Sequence, residues 1–219
     1  MRRQQVAREM YPVGVQDQMS ALTARPSHVL APKESLQKYL GRMPAGGKLY
    51  IPEGTWQFTA DLTLALPDVH IEGSGWRTIL QFAGDAVCRI SATRCSLRRL
   101  QIKASAVAPR TTYAAVTVTG SLAILEEVWV SQCYHGILVS TGGDHAVLDK
   151  CRVTGRAGGG TGLACTADHC SIFKNYIPDE GGGALEINVT GTSNAVHGNH
   201  APGGAITIVA GNSNVGNYT

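Results

Sequence analysis

Leu125-Glu126-Glu127-Val128-Trp129-Val130 is the stretch that decides the fold, because its shape returns along the chain. The same apolar-x-x-small/apolar-x-apolar pattern reads Leu97-Arg98-Arg99-Leu100-Gln101-Ile102 before it. After it come Leu148-Asp149-Lys150-Cys151-Arg152-Val153, Ile172-Phe173-Lys174-Asn175-Tyr176-Ile177 and Val196-His197-Gly198-Asn199-His200-Ala201. First positions are 28, 23, 24 and 24 residues apart, and a shorter copy ends in Gly216-Asn217-Tyr218-Thr219. A second series of alternating triplets lies between the copies: Val116-Thr117-Val118, Ile137-Leu138-Val139, Leu163-Ala164-Cys165, Leu185-Glu186-Ile187 and Ile206-Thr207-Ile208, beginning 21, 26, 22 and 21 residues apart. Alternation turns one side of each strand inward and the other outward.

Strands recurring at about two dozen residues exclude a helical solenoid, and the period is too short for a propeller blade of about 40 residues. The consensus of leucine-rich repeats is missing. What remains is all-β: a single right-handed parallel β-helix whose coils stack at about 4.8 Å. One coil cannot bury its own apolar face, so neighbours stabilise one another. Expected interior columns are Val116, Ile137, Leu163, Leu185, Ile206, and Val118, Val139, Cys165, Ile187, Ile208. A third runs Leu100, Val128, Cys151, Asn175, Asn199, Asn217, where stacked asparagines hydrogen-bond along the stack.

Composition agrees. Of 219 residues 26 are Gly and only 16% are charged, which suits strands and turns. A net charge of +3 does not argue for nucleic acid, although Arg2, Arg3 and Arg8 cluster at the start. Residues 1–10 carry no apolar segment of secretory type, and no apolar run reaches membrane-spanning length. The expectation is a chain made in a cytosol, with no membrane insertion. Cys88, Cys95, Cys133, Cys151, Cys165 and Cys170 lack CxxC spacing and fit buried hydrophobes better than disulfides. No phosphate loop, dinucleotide fingerprint, zinc spacing or nucleophile elbow is present, so no cofactor and no metal are expected.

Residues 33–43 read as a short amphipathic helix with Leu36, Tyr39, Leu40 and Met43 on one face, a cap for the open end of a stack. Behind it stand Gly46-Gly47-Lys48-Leu49-Tyr50-Ile51-Pro52-Glu53-Gly54-Thr55-Trp56-Gln57-Phe58 and Val69-His70-Ile71-Glu72-Gly73-Ser74-Gly75-Trp76. In these opening coils the chain resembles the pectate-lyase-like β-helix proteins, especially the spikes and fibres of tailed bacteriophages. The resemblance is close over residues 46–80 and loose over 33–219. It implies a virion protein and a homotrimer. It also implies that residues 1–32, which do not fit the coils, form an arm attached to other virion proteins; a tail without structure is the competing reading.

Asp144-His145 and Asp168-His169 recur at a spacing of 24. On adjacent coils they would lie about 5 Å apart and could act as an acid/base pair or a weak metal site, although Asp before a strand is also ordinary turn chemistry. A more unusual feature is the outward column Gln101, Trp129, Arg152, Tyr176, His200, with Tyr218 as its end. Flat rings beside polar groups suit either a sugar or another subunit. Beside it lie Arg98, Glu126, Asp149, Phe173 and His197, then Arg99, Glu127, Lys150 and Lys174, expected to be a solvated face. The expected function is a spike or fibre protein that recognises surface polysaccharide without cutting it. The alternatives are a polysaccharide depolymerase and a structural subunit of a head or tail.

Overall fold

A computed structural model of the chain describes residues 28–29, 36–40, 43–104, 114–156, 160–179 and 185–219. Most of the proposed arm (residues 1–27 and 30–32), both ends of the capping helix and the Gly181–Gly183 turn lie outside the described residues, as do Gly158 and Gly159 of the Gly158–Gly160 turn.

The chain is a parallel β-helix. One sheet runs through His28–Val29, Lys48–Ile51, His70–Gly73, Ser96–Lys103, Ile124–Ser131, Val147–Asp149, Ser171–Phe173, Ala195–His197 and Ser213–Val215. Gly54–Phe58 and Thr78–Phe82 join it along the second half of Ser96–Lys103, and Arg152–Thr154 along that of Ile124–Ser131. The other sheet takes one strand per coil: Leu62–Leu64, Cys88–Ile90, Ala114–Val118, His135–Val139, Leu163–Cys165, Leu185–Val189 and Ala205–Ile208. Each pairing is parallel. The sheet thus begins inside the segment read as the arm, where His28 and Val29 pair with Leu49 and Tyr50.

Register follows the repeat. Leu49, Ile71, Leu97, Leu125, Leu148, Ile172 and Val196 stack in one buried column. In the second sheet Val116, Ile137 and Leu163 pair as expected, as do Val118, Val139 and Cys165. The next coil corrects the reading: Leu163 meets Ile187 and Cys165 meets Val189, two residues later than the triplet Leu185-Glu186-Ile187 implies. An irregularity between Leu185 and Ile187 then restores the alignment with Ala205 and Ile206. A shift of two keeps the same faces inward, so the apolar alternation could not reveal it.

The bends between strands explain the repeat's shape. Arg99, Glu127, Lys150 and Lys174 all hold φ between 51° and 54°, and the same position becomes Gly198 and Gly216. A left-handed residue turns the chain sharply, and its successor points inward. Those successors are Leu100, Val128 and Cys151, then Asn175, Asn199 and Asn217. The asparagine column is the expected ladder: Asn175 Oδ1 accepts from Cys151 N at 2.8 Å, Asn199 Oδ1 from Asn175 N at 2.9 Å, and Asn217 Oδ1 from Asn199 N at 2.8 Å. A second bend repeats the device at Leu122, His145, His169 and Ser193. There Asn194 Oδ1 accepts from Cys170 N and Asn212 Oδ1 from Asn194 N, a ladder that sequence reading missed.

At the start of the stack the helix spans Leu36–Leu40, with Leu36 and Met43 buried and Tyr39 and Leu40 packed on the core. All six cysteines are free and buried. Burial pushes the Cys88 and Cys151 thiols up to about 12, so they stay neutral.

Candidate functional site

The outward column forms a continuous ladder. Gln101, Trp129 and Arg152 are register partners, and isolated bridges link Arg152 to Tyr176, Tyr176 to His200 and His200 to Tyr218. From Trp129 to Tyr218 the steps add up to about 19 Å at the usual strand spacing. The rings touch in sequence. The Arg152 guanidinium carbon lies 5.4 Å from the Trp129 ring centre and 5.1 Å from that of Tyr176, so the cation is held between two π faces. Tyr176 and His200 meet edge to face at 5.5 Å. Trp129 Nε1 donates to Thr154 Oγ1 at 2.7 Å, which fixes the indole. Exposure increases along the stripe, from partly covered at Trp129 and Arg152 to 36% at Tyr176 and 64% at Tyr218.

Gln101 is the exception. It was expected to face outward with the rest, yet it is 8% exposed and donates from Nε2 to Ser131 Oγ at 2.8 Å. The reason is a residue that sequence reading missed. Trp76, in the turn after His70–Gly73, reaches the Trp129 ring at 5.7 Å, and the two indoles meet across the coil that carries Gln101. Trp76 is 48% exposed and takes the place in the stripe that Gln101 was given. Its only sequence signal was a tryptophan directly after Gly73-Ser74-Gly75, outside the strand column.

The neighbouring column also departs from expectation. Arg98 and Glu126 form an ion pair at 2.8 Å with side chains only 17% and 14% exposed. Asp149 and Phe173 are buried. The column is a packed, charge-matched face rather than a solvated one, because long side chains on adjacent coils cover one another. Exposed charges sit one residue further, at the bend, where Lys150 approaches Glu127 at 3.9 Å and Asp149 at 3.6 Å.

The Asp–His pairs do come together. His145 and His169 stack with ring centres 5.0 Å apart and planes 22° from parallel. Both aspartates are engaged by the backbone: Asp144 Oδ1 accepts from Asp168 N at 3.0 Å, and Asp168 Oδ1 accepts from the Thr192 N–H and hydroxyl. Those Thr192 hydrogen bonds hold the Asp168 carboxyl below the usual range. Both histidines occupy the left-handed bend. This is turn chemistry repeated one coil apart, on a different bend from the stripe. A groove of about 520 Å³ at the capped end, lined by Leu40, Asp61, Leu64 and Leu66 among others, is also separate from it. Among the described residues no three His, Cys, Asp or Glu side chains converge as a metal site, and no helix is long and apolar enough to cross a membrane.

No protein-family model and no curated protein matches the sequence. Solved structures match in fold. The catalytic domain of a GH87 α-1,3-glucanase in complex with tetrasaccharides is similar over 88% of this chain, at 15% identity and a TM-score of 0.64. The chain spans 41% of that domain's length. A pectin methylesterase in complex with a hexasaccharide is similar over 82% of this chain and 66% of its own, at 12% identity and a TM-score of 0.49. A Geobacillus virus E2 protein, ORF18, aligns over 93% of this chain and 62% of its own, at 11% identity and a TM-score of 0.32. At 15% identity the likeness to the glucanase domain is one of fold.

Proposed function

We propose that this chain is a virion-associated spike or fibre protein that recognises surface polysaccharide along one flank of its β-helix. The observation that carries the reading is the unbroken stripe Trp76, Trp129, Arg152, Tyr176, His200 and Tyr218. In a chain with 6% aromatic residues, such a line of rings open to solvent is not needed by the core. Ring faces pack against the apolar faces of sugars, and polar edges beside them take the hydroxyls. The phage-spike part rests on the resemblance of residues 46–80, with residues 1–32 joining other virion proteins.

The test is binding of host capsular polysaccharide by the purified protein, with particle mass measured in parallel. Tyr176→Ala removes an exposed ring, and a loss of about 1.5 kcal/mol weakens binding roughly tenfold. The mass should not change. If the variant instead dissociates an oligomer and leaves glycan binding intact, the stripe is a subunit interface, as expected for a trimer packed on this face.

Release of reducing ends or unsaturated uronates from the bound polysaccharide would replace the non-catalytic reading.

A further inference from the structure

Seven arginines fall among the described residues, and six are matched to carboxylates: Arg77 to Glu53, Arg89 to Asp61, Arg94 to Asp68, Arg98 to Glu126, Arg99 to Glu72, and Arg156 to Glu186. The seventh, Arg152, has no carboxylate partner and no side-chain hydrogen bond among them. Its guanidinium lies between the rings of Trp129 and Tyr176. Contact with π faces stabilises the cation but uses none of its in-plane N–H donors and does not neutralise it. Its Nε is buried without an acceptor, as are those of Arg98 and Arg156, but those two are neutralised through Nη2.

The surroundings keep the charge uncompensated. The stripe contains no acidic residue. The outward column beyond it reads Gln81, Lys103, Ser131 and Thr154 in register, again with no acid. The carboxylates of the column on the other side, Glu126 and Asp149, are already approached by Arg98 and Lys150. Lys174, at the bend before Tyr176, is exposed and adds a cation without an ion-pair partner among the described residues.

We infer that Arg152 gives the stripe a charge preference: the ligand is an acidic glycan whose sugar carboxylate meets the Arg152 guanidinium while its rings lie on the flanking aromatics. The inference rests on the polysaccharide reading above and names the ligand class. A planar fork matches a carboxylate with two parallel hydrogen bonds, and the two rings hold it with little conformational freedom left to lose.

The probes are alginate, a polyhexuronate, and its carboxyl-reduced neutral form, against the full chain and the Arg152→Gln and Arg152→Lys variants. The unaltered chain is expected to bind alginate at least tenfold more tightly than the reduced polymer, less so as salt rises. Arg152→Gln should remove that ratio in a chain whose circular dichroism still shows the intact β-helix. Arg152→Lys should keep part of it, because the charge stays and the fork is lost. Equal binding of both polymers by the unaltered chain, or an unchanged ratio in Arg152→Gln, overturns the inference and leaves polysaccharide recognition standing. If neither these polymers nor the host capsule binds, the polysaccharide reading fails and takes the inference with it.

Discussion

At the scale of single residues, the sharpest consequence concerns His70. It is a strand residue, 8% exposed, whose Nδ1 lies 3.0 Å from Ser96 Oγ. Burial holds its pKa below the ordinary imidazole value, and the Lys48 charge in register beside it pushes the same way; Asp68 pulls upward and Arg98 adds to the lowering. The folded state therefore takes up a proton less readily than the unfolded chain. Below the unfolded value near 6.5 the unfolded chain binds more protons, so stability present at neutral pH is lost as pH falls through that window towards the folded value. Urea denaturation at pH 7.5 and pH 5.5 should show this loss, and His70→Gln should lose less over the same interval. An identical pH slope in the variant would mean that other groups carry it. Cys165 gives a contrasting case: a hydrogen bond that its thiol donates to Cys170, together with burial, raises its pKa, so neither this thiol nor Cys88 nor Cys151 adds a charge to the core near neutral pH.

At the scale of the element, the bend is the unit that builds the coil. Its left-handed residue is followed by an inward side chain, and where that side chain is Asn it satisfies the backbone of the coil below. Asn175 shows how much this position carries: its Oδ1 accepts from Cys151 N, and its Nδ2 donates to Leu148 O at 3.1 Å and to Asn199 Oδ1 at 2.9 Å. Asn175→Leu matches the aliphatic residues lower in the column but leaves buried backbone groups without partners. At about 1–3 kcal/mol for each stranded group, a loss of about 3 kcal/mol is expected, read as a lower urea midpoint at constant slope. Much of this element was legible in the sequence, because the column Leu100 to Asn217 is fixed by spacing alone. The slip at Leu185 was not, since two residues preserve inside and outside. Nor was the burial of Gln101, because the covering Trp76 comes from a turn whose direction no strand pattern records. The column from Arg98 to Phe173 was misjudged for a related reason: alternation says which way a side chain leaves the sheet, but not whether neighbours one coil away will cover it.

At the scale of the whole molecule, the stack is one-dimensional and its two ends differ. The first coils are covered by Leu36–Leu40 and Met43, and the strand His28–Val29 pairs on the outer edge. At the other end Ala205–Ile208 and Ser213–Val215 have a strand neighbour on one side only, and Val215 is 57% exposed. In a solenoid each coil is held by nearest neighbours, so an uncovered coil opens without the rest. Backbone bonds at the two levels are otherwise alike: Val209 N donates to Val189 O at 3.0 Å and Tyr218 N to Asn199 O at 2.8 Å, while Ile137 N donates to Gly162 O at 2.9 Å. Hydrogen exchange on the 219-residue chain should nevertheless separate them, with Val209, Ser213 and Tyr218 exchanging orders of magnitude faster than Ile137 and Val147. Uniform protection from Ile137 to Tyr218 would mean that the stack opens as a single unit. In these 219 residues the stripe runs across that expected gradient: Trp129 and Arg152 sit on central coils, and His200 and Tyr218 on the last two. A glycan lying along the whole stripe should therefore slow exchange most at Tyr218 and least at Ile137, whereas one held only around Arg152 should leave Tyr218 as it was.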